Sequence, residues 1–478
     1  MYSIDFNNDN AKKNISYSKV PSGFYFGEKT GFINGFLGLL GADRSVVKES
    51  KEDGQIAIIG GSGSGKTSTV IAQTLCRTWH DPFVAIDIKG ELKAICDTLN
   101  PDKKVKVFSL RGETPYTIDP FEHLRHDEPE NLVSNVRELV NALLPKPLNP
   151  NDPVWIDSAR ELLTAGILHY YDLGTVFTDA IIAIMTTPPC KLIDEIGRGN
   201  NSEAKVSINN FLGDDVISDS KFLIGISQEI TNRLSIIATD PRVRDALVPS
   251  ENQIRWTDLE HTSIFLSVPE DRLEQYSPVL TMMITQLIRT LERRPEKHSP
   301  EGANCRPVLL LFDEFPRLGQ MEVITSAVST LRSRNATMCL VFQSLAQLDA
   351  IYGRYVRRII LDNCSYIAVL KINDVESQKY FSDLAGMKRV SNYCRSSSYD
   401  PDGKETGYSI QTTYSYEPAI RSEEFGKLKD VILFTPDGFI RVKKVPYYEP
   451  TVVQKVTAVV TGFFNRIRRF WGRRRAFC

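Results

Sequence analysis

The stretch with the clearest chemical meaning is residues 60–67, which read Gly-Gly-Ser-Gly-Ser-Gly-Lys-Thr and match the P-loop pattern G-x-x-x-x-G-K-[ST]. In such a loop backbone N–H groups surround phosphate oxygens, a lysine reaches the β- and γ-phosphates, and a hydroxyl ligates Mg²⁺. Apolar residues 56–59 predict a buried strand before it, and residues 68–75 predict a helix after it. These flanks favour a phosphate site over a plain Gly/Ser turn. The candidate nucleotide-binding residues are Gly60, Gly61, Ser62, Gly63, Ser64, Gly65, Lys66, Thr67 and Ser68.

Two adjacent carboxylates follow another apolar run much later in the chain. Asp313 and Glu314 come directly after residues 308–312, all of which are apolar. In a P-loop ATPase a carboxylate at such a place holds Mg²⁺, and a neighbouring one polarises the attacking water. We therefore assign Asp313, together with Thr67, to the metal and Glu314 to catalysis. The alternative is a carboxylate pair that only caps the strand.

Two further side chains near the next apolar run are catalytic candidates. Gln343 ends the run 338–342, where an amide can orient water or contact the γ-phosphate, unless it only caps the strand. Arg332 and Arg334 precede the same run. Some ATPases receive an arginine from a neighbouring subunit in the γ-phosphate site, and a solvated surface arginine is the alternative.

Strand and helix patterns place these residues in an α/β protein. Several short apolar runs are separated by segments with helical spacing, which predicts a mostly parallel sheet with flanking helices. The predicted strands beyond 56–59 are 84–88, 104–108, 263–268, 307–312, 338–342 and 366–370.

The separation of 247 positions from Lys66 to Asp313 exceeds what a minimal nucleotide fold needs. Four prolines between residues 145 and 153 mark a boundary, and from Trp155 to about Arg244 apolar residues recur at helical spacing. The sequence thus predicts an inserted all-α domain. Residues 392–415, rich in Ser, Tyr, Gly and Thr, predict a loop or a β-excursion.

Composition excludes several classes of protein. Hydrophobic residues make up 42% of the 478, which is enough for a large core and argues against global disorder. The eight cysteines form no C-x-x-C pair, so neither a zinc knuckle nor a disulfide framework is expected. Residues 1–19 lack a signal pattern, and the apolar run at 31–41 is too short and glycine-rich to span a bilayer.

Several motifs, taken in their order along the chain, resemble one family. After the P-loop come Asp87-Ile-Lys-Gly-Glu-Leu92, then Leu311-Phe-Asp-Glu-Phe-Pro-Arg-Leu-Gly319, then Phe342-Gln-Ser-Leu-Ala-Gln-Leu348. Asp152-Pro-Val-Trp155 and Asp240-Pro-Arg-Val243 bracket the helical insert. From about residue 50 to 449 this arrangement resembles the coupling proteins of conjugative type IV secretion, the TraG class.

The resemblance implies a RecA-like ATPase core with an all-α domain, assembled as a homo-hexamer that binds ATP and Mg²⁺. It implies that single-stranded DNA bound to relaxase is delivered to components of a type IV secretion channel, at the cytoplasmic face of the bacterial inner membrane. Lys66 and Thr67 match the first ATPase motif of the family, Asp313 and Glu314 the second, and Gln343 the sensor glutamine. Arg332 stands where relatives carry a candidate trans arginine.

The predicted organisation has five parts. Residues 1–50 form an N-terminal segment, and 148–250 form the all-α domain between the two parts of the nucleotide-binding domain, 51–147 and 251–449. Residues 450–478 form a basic amphipathic tail that carries seven basic residues and no acidic one, in a chain of net charge −1.

Attachment to the membrane is the point where the sequence departs from the family. Relatives begin with transmembrane helices, and no such segment is found in this sequence. A separate membrane-docking protein is one explanation. The tail is another, because from Val452 to Trp471 its apolar residues recur at helical spacing, and a cationic amphipathic helix can lie on an anionic membrane surface. Docking on the ATPase body, nucleic-acid binding and disorder are the alternatives for residues 451–478.

Two other functions stay open beside DNA delivery. The chain could be a recruitment platform for relaxase or protein substrates, in which nucleotide only stabilises the ring. It could also be a plasmid or chromosome DNA translocase outside secretion. Intact Lys66, Thr67, Asp313 and Glu314 favour an active ATPase over the platform, and the helical insert favours secretion over the unrelated translocase.

Overall fold

A computed structural model describes residues 16–18, 22–29, 44–112, 115–146, 153–211, 220–399, 401–403 and 405–449. The tail at 451–478, the apolar run at 31–41 and Asp152 lie outside these residues. Among the described helices, none combines the length and the apolar character needed to cross a bilayer.

The core of the protein is a large mixed sheet. Its nine described strands have the order β14-β13-β10-β4-β9-β8-β5-β7-β6, and the seven from β10 to β6 are parallel to one another. Its strands are β4 Ile56–Ile59, β5 Phe83–Asp87, β6 Val105–Ser109, β7 Ser263–Ser267, β8 Val308–Phe312, β9 Ala336–Phe342, β10 Tyr366–Val369, β13 Val431–Thr435 and β14 Gly438–Val442. The other strands are β1 Ser16–Ser18, β2 Phe24–Lys29, β3 Arg44–Lys48, β11 Met387–Tyr399 and β12 Glu405–Pro418.

Both faces of the parallel strands are covered, which explains why the runs are continuously apolar rather than alternating. Ile56 and Ile58 of β4 pack on one side with the P-loop helix, whereas Ala57 and Ile59 pack on the other. The P-loop helix runs over Lys66–Ile71 and continues through Thr74–Thr78, with wide π-type turns in both stretches. It therefore begins at Lys66, two residues earlier than the sequence predicts.

The N-terminal strands form a small antiparallel sheet of order β1-β3-β2 on this same side. Phe24 and Phe26 are fully buried against the P-loop helix, and Tyr25 N donates to Thr74 Oγ1 at 3.0 Å. The first fifty residues thus include a cover for the nucleotide-binding helix.

Helices between β6 and β7 account for the long interval between the P-loop and the carboxylate pair. α4, α5 and α8 pack on one another, α7 and α3 pack on α4, and α10, which follows β7, packs on α3 and α8. The domain limits themselves stay a prediction. The helices are α1 Glu91–Leu99, α2 Glu122–His126, α3 Leu132–Leu143, α4 Pro153–Asp172, α5 Phe177–Thr186, α6 Pro189–Arg198, α7 Ser202–Phe211, α8 Ser220–Thr239, α9 Pro241–Ala246, α10 Leu273–Glu292, α11 Glu322–Thr330, α12 Leu345–Asn363, α13 Val375–Ala385 and α14 Ser422–Phe425.

Between β10 and β13 the chain forms a long two-stranded ribbon of β11 and β12, paired from Met387 and Pro418 to Tyr399 and Glu405. The sequence predicted a loop or β-excursion at 392–415, and the ribbon is longer at both ends. After it, β13 and β14 close the sheet as an antiparallel hairpin beside β10.

Candidate functional site

The P-loop connects the carboxyl end of β4 to the first turn of its helix. Gly63 and Gly65 have φ angles of 69° and 96°, in the left-handed region that glycine adopts without strain. A Cβ at Gly60 would lie 2.6 Å from Ser64 Oγ, so the loop can close this tightly only without a side chain there. Its backbone is thereby free to surround an anion at a helix N-terminus.

Lys66 is buried under this loop. Its Nζ donates to Gly60 O at 2.6 Å and to Gly61 O at 3.3 Å. Burial lowers the pKa of Lys66, although the nearby carboxylates of Glu314 and Asp313 act in the opposite direction. Lys66 is therefore within electrostatic reach of both carboxylates.

The carboxylate pair lies at the same edge of the sheet because β8 is parallel to β4, with β9 between them. Asp313 and Glu314 are both buried. Burial raises the pKa of Asp313 to about 6, and the adjacent Glu314 adds to the effect. Glu314 also has a φ of 55°, an unusual backbone conformation for a residue with a side chain, and such strain is concentrated at functional sites.

Two side chains hold the carboxylate of Glu314. Gln343 Nε2 donates to Oε2 at 2.9 Å, and Lys89 Nζ forms an ion pair with Oε1 at 3.3 Å. Burial acts to raise the pKa of Glu314, but the Gln343 hydrogen bond and the charges of Lys89 and Lys66 outweigh it, and the pKa is lowered. Glu314 is therefore kept ionised, which is the state that accepts a proton from water.

Sequence reasoning gave no role to Lys89, although the signal was present. Lys89 comes just after β5, and β5 ends at the same edge as β8 because the two strands are parallel. Asp87 at the end of β5 accepts from Gly90 N at 2.8 Å and Lys93 N at 3.1 Å, which satisfies the start of α1. The local turn after β5 is thus fixed, and Lys89 is directed toward Glu314.

Sequence reasoning also missed a strap formed by residues 443–449, which crosses the P-loop helix. Lys444 Nζ donates to Ser64 O at 3.0 Å, and Tyr447 N donates to Ser68 O at 2.9 Å. Gln73 Nε2 donates to Val445 O at 3.0 Å from the helix side. The strap therefore fastens the C-terminal end of the described chain to the loop that would bind phosphate.

The donor set suits a nucleotide with Mg²⁺. Thr67 offers a hydroxyl at the first turn of the helix and Asp313 a buried carboxylate, both oxygen ligands of the kind that Mg²⁺ prefers. Ser64 Oγ is buried without a hydrogen-bond partner among the described residues, and it lies inside the loop beside Gly60. Ser62 and Gly63 are exposed at the crest of the loop.

Arg332 is the site residue that the fold does not bring to this cluster. It precedes β9, whereas Gln343 follows β9, so the two lie at opposite edges of the sheet. Seven residues of strand span roughly 23 Å, too far for an arginine side chain to reach back to its own P-loop. Arg332 is exposed and lies 3.9 Å from Asp53, between its Nε and the aspartate Oδ2.

Comparison with known proteins finds similarity over most of the chain. Residues 8–467 match the family described as type IV secretory system conjugative DNA transfer. The VirD4 protein of Rhizobium rhizogenes is 25% identical over 410 residues, which cover 84% of this chain and 59% of VirD4. The conjugal transfer protein TraG of Escherichia coli is 24% identical over 360 residues, covering 68% of this chain and 54% of TraG. The chain thus spans less than two thirds of the length of these relatives.

Solved structures confirm the predicted fold class. The bacterial conjugative coupling protein TrwB, in an unbound form, superposes with a TM-score of 0.65 at 15% identity, covering 85% of this chain and 88% of that one. TrwB in complex with ADP and Mg²⁺ superposes with a TM-score of 0.63 at 15% identity, covering 83% and 86%. At this identity the likeness shows the fold, a RecA-like P-loop domain with a mostly parallel sheet and flanking helices.

Proposed function

The chain belongs to the type IV secretory system conjugative DNA transfer family, and on that premise we propose that it is an ATP-hydrolysing coupling protein. One observation carries the proposal. Lys66, Asp313, Glu314 and Gln343 come from distant parts of the sequence and meet at the carboxyl edge of three neighbouring parallel strands. Polar groups of this kind around a P-loop serve phosphoryl transfer to water.

Each side chain has a distinct part in the proposed reaction. The P-loop backbone and Lys66 bind the β- and γ-phosphates of ATP, and Thr67 and Asp313 would hold Mg²⁺, which neutralises charge on the phosphate oxygens. Glu314 accepts a proton from the attacking water. Gln343 and Lys89 bind one carboxylate oxygen each and fix the direction in which Glu314 presents its lone pairs.

The family also supports a proposal for partners and placement. The VirD4 and TraG relatives and the TrwB structures support delivery of relaxase-bound single-stranded DNA to a type IV secretion channel. TrwB with ADP and Mg²⁺ supports the same cofactors here. We place the chain at the cytoplasmic face of the inner membrane, as a homo-hexamer, attached through residues 451–478 or through a membrane-docking protein.

The test is phosphate release from ATP, measured with and without single-stranded DNA. Glu314→Gln should retain binding of a fluorescent ATP analogue and lose turnover by about 100-fold or more, because only the proton acceptor is removed. Lys66→Ala should lose binding of the analogue. Glu301→Gln, an exposed glutamate before the amino end of β8, is the matched control and should hydrolyse normally. Wild-type turnover by Glu314→Gln would contradict the assignment.

A further inference from the structure

The ribbon formed by β11 and β12 carries an unusual distribution of side chains. Successive residues of a strand point to opposite faces, and directly paired residues of two strands share a face. The register pairs Arg389 with Tyr416, Ser391 with Tyr414 and Ser397 with Tyr408. All the ribbon tyrosines, together with both of its arginines, therefore fall on one face. This face, here called the tyrosine face, consists of Met387, Arg389, Ser391, Tyr393, Arg395, Ser397, Tyr399, Glu405, Tyr408, Ile410, Thr412, Tyr414, Tyr416 and Pro418.

The opposite face carries mostly polar side chains and no aromatic ring among its described residues. It consists of Lys388, Val390, Asn392, Cys394, Ser396 and Ser398 on β11, and Gly407, Ser409, Gln411, Thr413, Ser415 and Glu417 on β12. A ribbon packed on the body of the protein along its length would carry a row of Val, Ile or Leu on its covered side, whereas among the described residues of this face only Val390 is of that kind. The aromatic residues have thus been placed on one side only.

The tyrosine face is open to solvent. The five tyrosines are 58–74% exposed, and Ile410 is 59% exposed. Contiguous exposed patches of this kind mark interaction sites, since aromatic surface is costly to leave in water. The exposed rings therefore make this face a candidate contact surface.

The two arginines are ordered by the rings. The guanidinium carbon of Arg389 lies 3.6 Å from the ring centroid of Tyr414, and that of Arg395 lies 4.6 Å from the ring centroid of Tyr408. Arg395 also pairs with Glu405 at 2.7 Å. Flat cations and aromatic rings thus alternate along a single exposed surface, before any partner is bound.

We propose that the tyrosine face binds single-stranded nucleic acid by stacking its bases on these rings. Aromatic side chains accept any base, and ordered arginines supply stacking and charge to the backbone, which is how proteins hold single strands without sequence preference. Among the described residues of this face, carboxylates are absent apart from Glu405 at its end, which is already paired. The proposal rests on the proposed function, which supplies single-stranded DNA as the substrate.

The base of the ribbon lies at the edge of the sheet opposite the P-loop. The ribbon leaves the body after α13, where Leu384 and Ala385 line a groove with Ser365 and Asp437 at the amino edge of the parallel strands. Lys66 and Glu314 lie at the carboxyl edge. Substitutions on the tyrosine face should therefore change DNA binding without touching the residues that bind ATP.

The experiment uses the full chain, a non-hydrolysable ATP analogue and a fluorescein-labelled oligothymidylate whose anisotropy reports binding. Tyr393→Ala with Tyr414→Ala should weaken binding by roughly 25-fold or more, since each lost stack weakens binding at least five-fold. Tyr393→Phe with Tyr414→Phe should bind like wild type, because the ring is kept. The control from the other face, Gln411→Ala with Thr413→Ala, should also bind like wild type.

A second readout tests contact directly. An oligonucleotide carrying 5-iodouracil should crosslink to peptides of residues 387–418 under long-wavelength light. Equal binding by wild type and the alanine pair, or crosslinks confined to other peptides, would overturn the proposal and leave the ATPase assignment intact. If wild type binds no oligothymidylate even at low salt, the DNA part of the proposed function fails with it.

The remaining outcome concerns a protein partner. Light scattering gives the assembly state of each variant. If the alanine pair loses DNA binding only in proportion to lost assembly, the tyrosine face is a contact between subunits, and the proposal is overturned.

Discussion

Gln343 donates from Nε2 to Oε2 of Glu314 over 2.9 Å, although the two residues follow different strands. The bond exists because β8 and β9 are parallel neighbours that end at the same edge of the sheet. Lys89 binds the other oxygen of the same carboxylate. The orientation of Glu314 is therefore set by two residues from two other strands.

Gln343→Ala should lower kcat by about 10- to 100-fold and leave the affinity for a fluorescent ATP analogue nearly unchanged. The reason is that Gln343 orients the carboxylate of Glu314 and is not needed to bind the phosphates. Its loss should therefore reduce stabilisation of the transition state and leave nucleotide binding intact. Steady-state phosphate release measures kcat, and titration with the fluorescent ATP analogue measures the affinity. Gln228→Ala, an exposed glutamine on α8, is the control. A variant that loses affinity and keeps its kcat would show that Gln343 serves binding instead.

Arg332→Ala should be inactive alone and should partly recover when mixed with Lys66→Ala protein. The arginine lies at the far edge of its own sheet, so any part it takes in hydrolysis must be played at a neighbouring subunit, and mixed rings would contain some interfaces with both groups intact. ATPase activity is measured against mixing ratio. Arg334→Ala is the comparison, because Arg334 Nη1 donates to Arg294 O at 2.7 Å within its own chain. If ATPase activity recovers at no mixing ratio, although the rings are shown to contain both variants, Arg332 is not the arginine supplied to the neighbouring subunit.

Deleting residues 451–478 should abolish flotation of the chain with anionic liposomes and leave ATP-analogue binding intact. Each basic residue near an anionic surface contributes on the order of 1 kcal/mol, an attraction that salt weakens. The full chain should float less with neutral liposomes than with anionic ones. Equal flotation of the truncated and full chains would exclude the tail as the anchor. Flotation of neither would favour a separate docking protein.

Lys48 should make stability depend on pH. It is fully buried on β3, and burial lowers its pKa to about 7, although Glu52 and Asp53 act to raise it. In the unfolded chain the lysine titrates near its ordinary value of about 10.4, so between these pH values the unfolded state carries the extra proton. The free energy of unfolding should therefore rise with pH by up to about 1.4 kcal/mol per unit across this window.

The measurement is the difference in thermal midpoint between wild type and Lys48→Met, from pH 7 to 9. Removing the lysine also removes its hydrogen bond to Glu52 O at 2.6 Å, which shifts the thermal midpoint by a constant amount. The readout is therefore the change of the midpoint difference with pH. As pH rises from 7 to 9, the thermal midpoint of wild type should increase relative to that of Lys48→Met. Lys51→Met, at an exposed position, should show no such trend. Parallel curves for wild type and Lys48→Met would contradict the burial argument.

Local sequence determined the parts of this protein that depend on backbone chemistry over a few residues. The glycines and Lys66 identify the P-loop because only that spacing closes around phosphate, and continuous apolar runs identify β4, β8 and β9 because strands covered on both faces need them. Glu314 and Gln343 were therefore visible as strand-end residues. Helical spacing predicted the insert, whose limits stay a prediction.

Only the tertiary structure decided which strands are neighbours. The order β4-β9-β8-β5 brings Gln343 and Lys89 to Glu314, and the strap brings Lys444 to Ser64. No local pattern encodes these contacts, because they follow from the packing of segments that lie 29 residues apart for Gln343 and Glu314, 225 for Lys89 and Glu314, and 380 for Lys444 and Ser64. The same holds for the ribbon, whose register alone puts Tyr393 and Tyr414 on one face. The sequence determines which chemical groups are present, whereas the folded chain determines which of these groups lie next to one another.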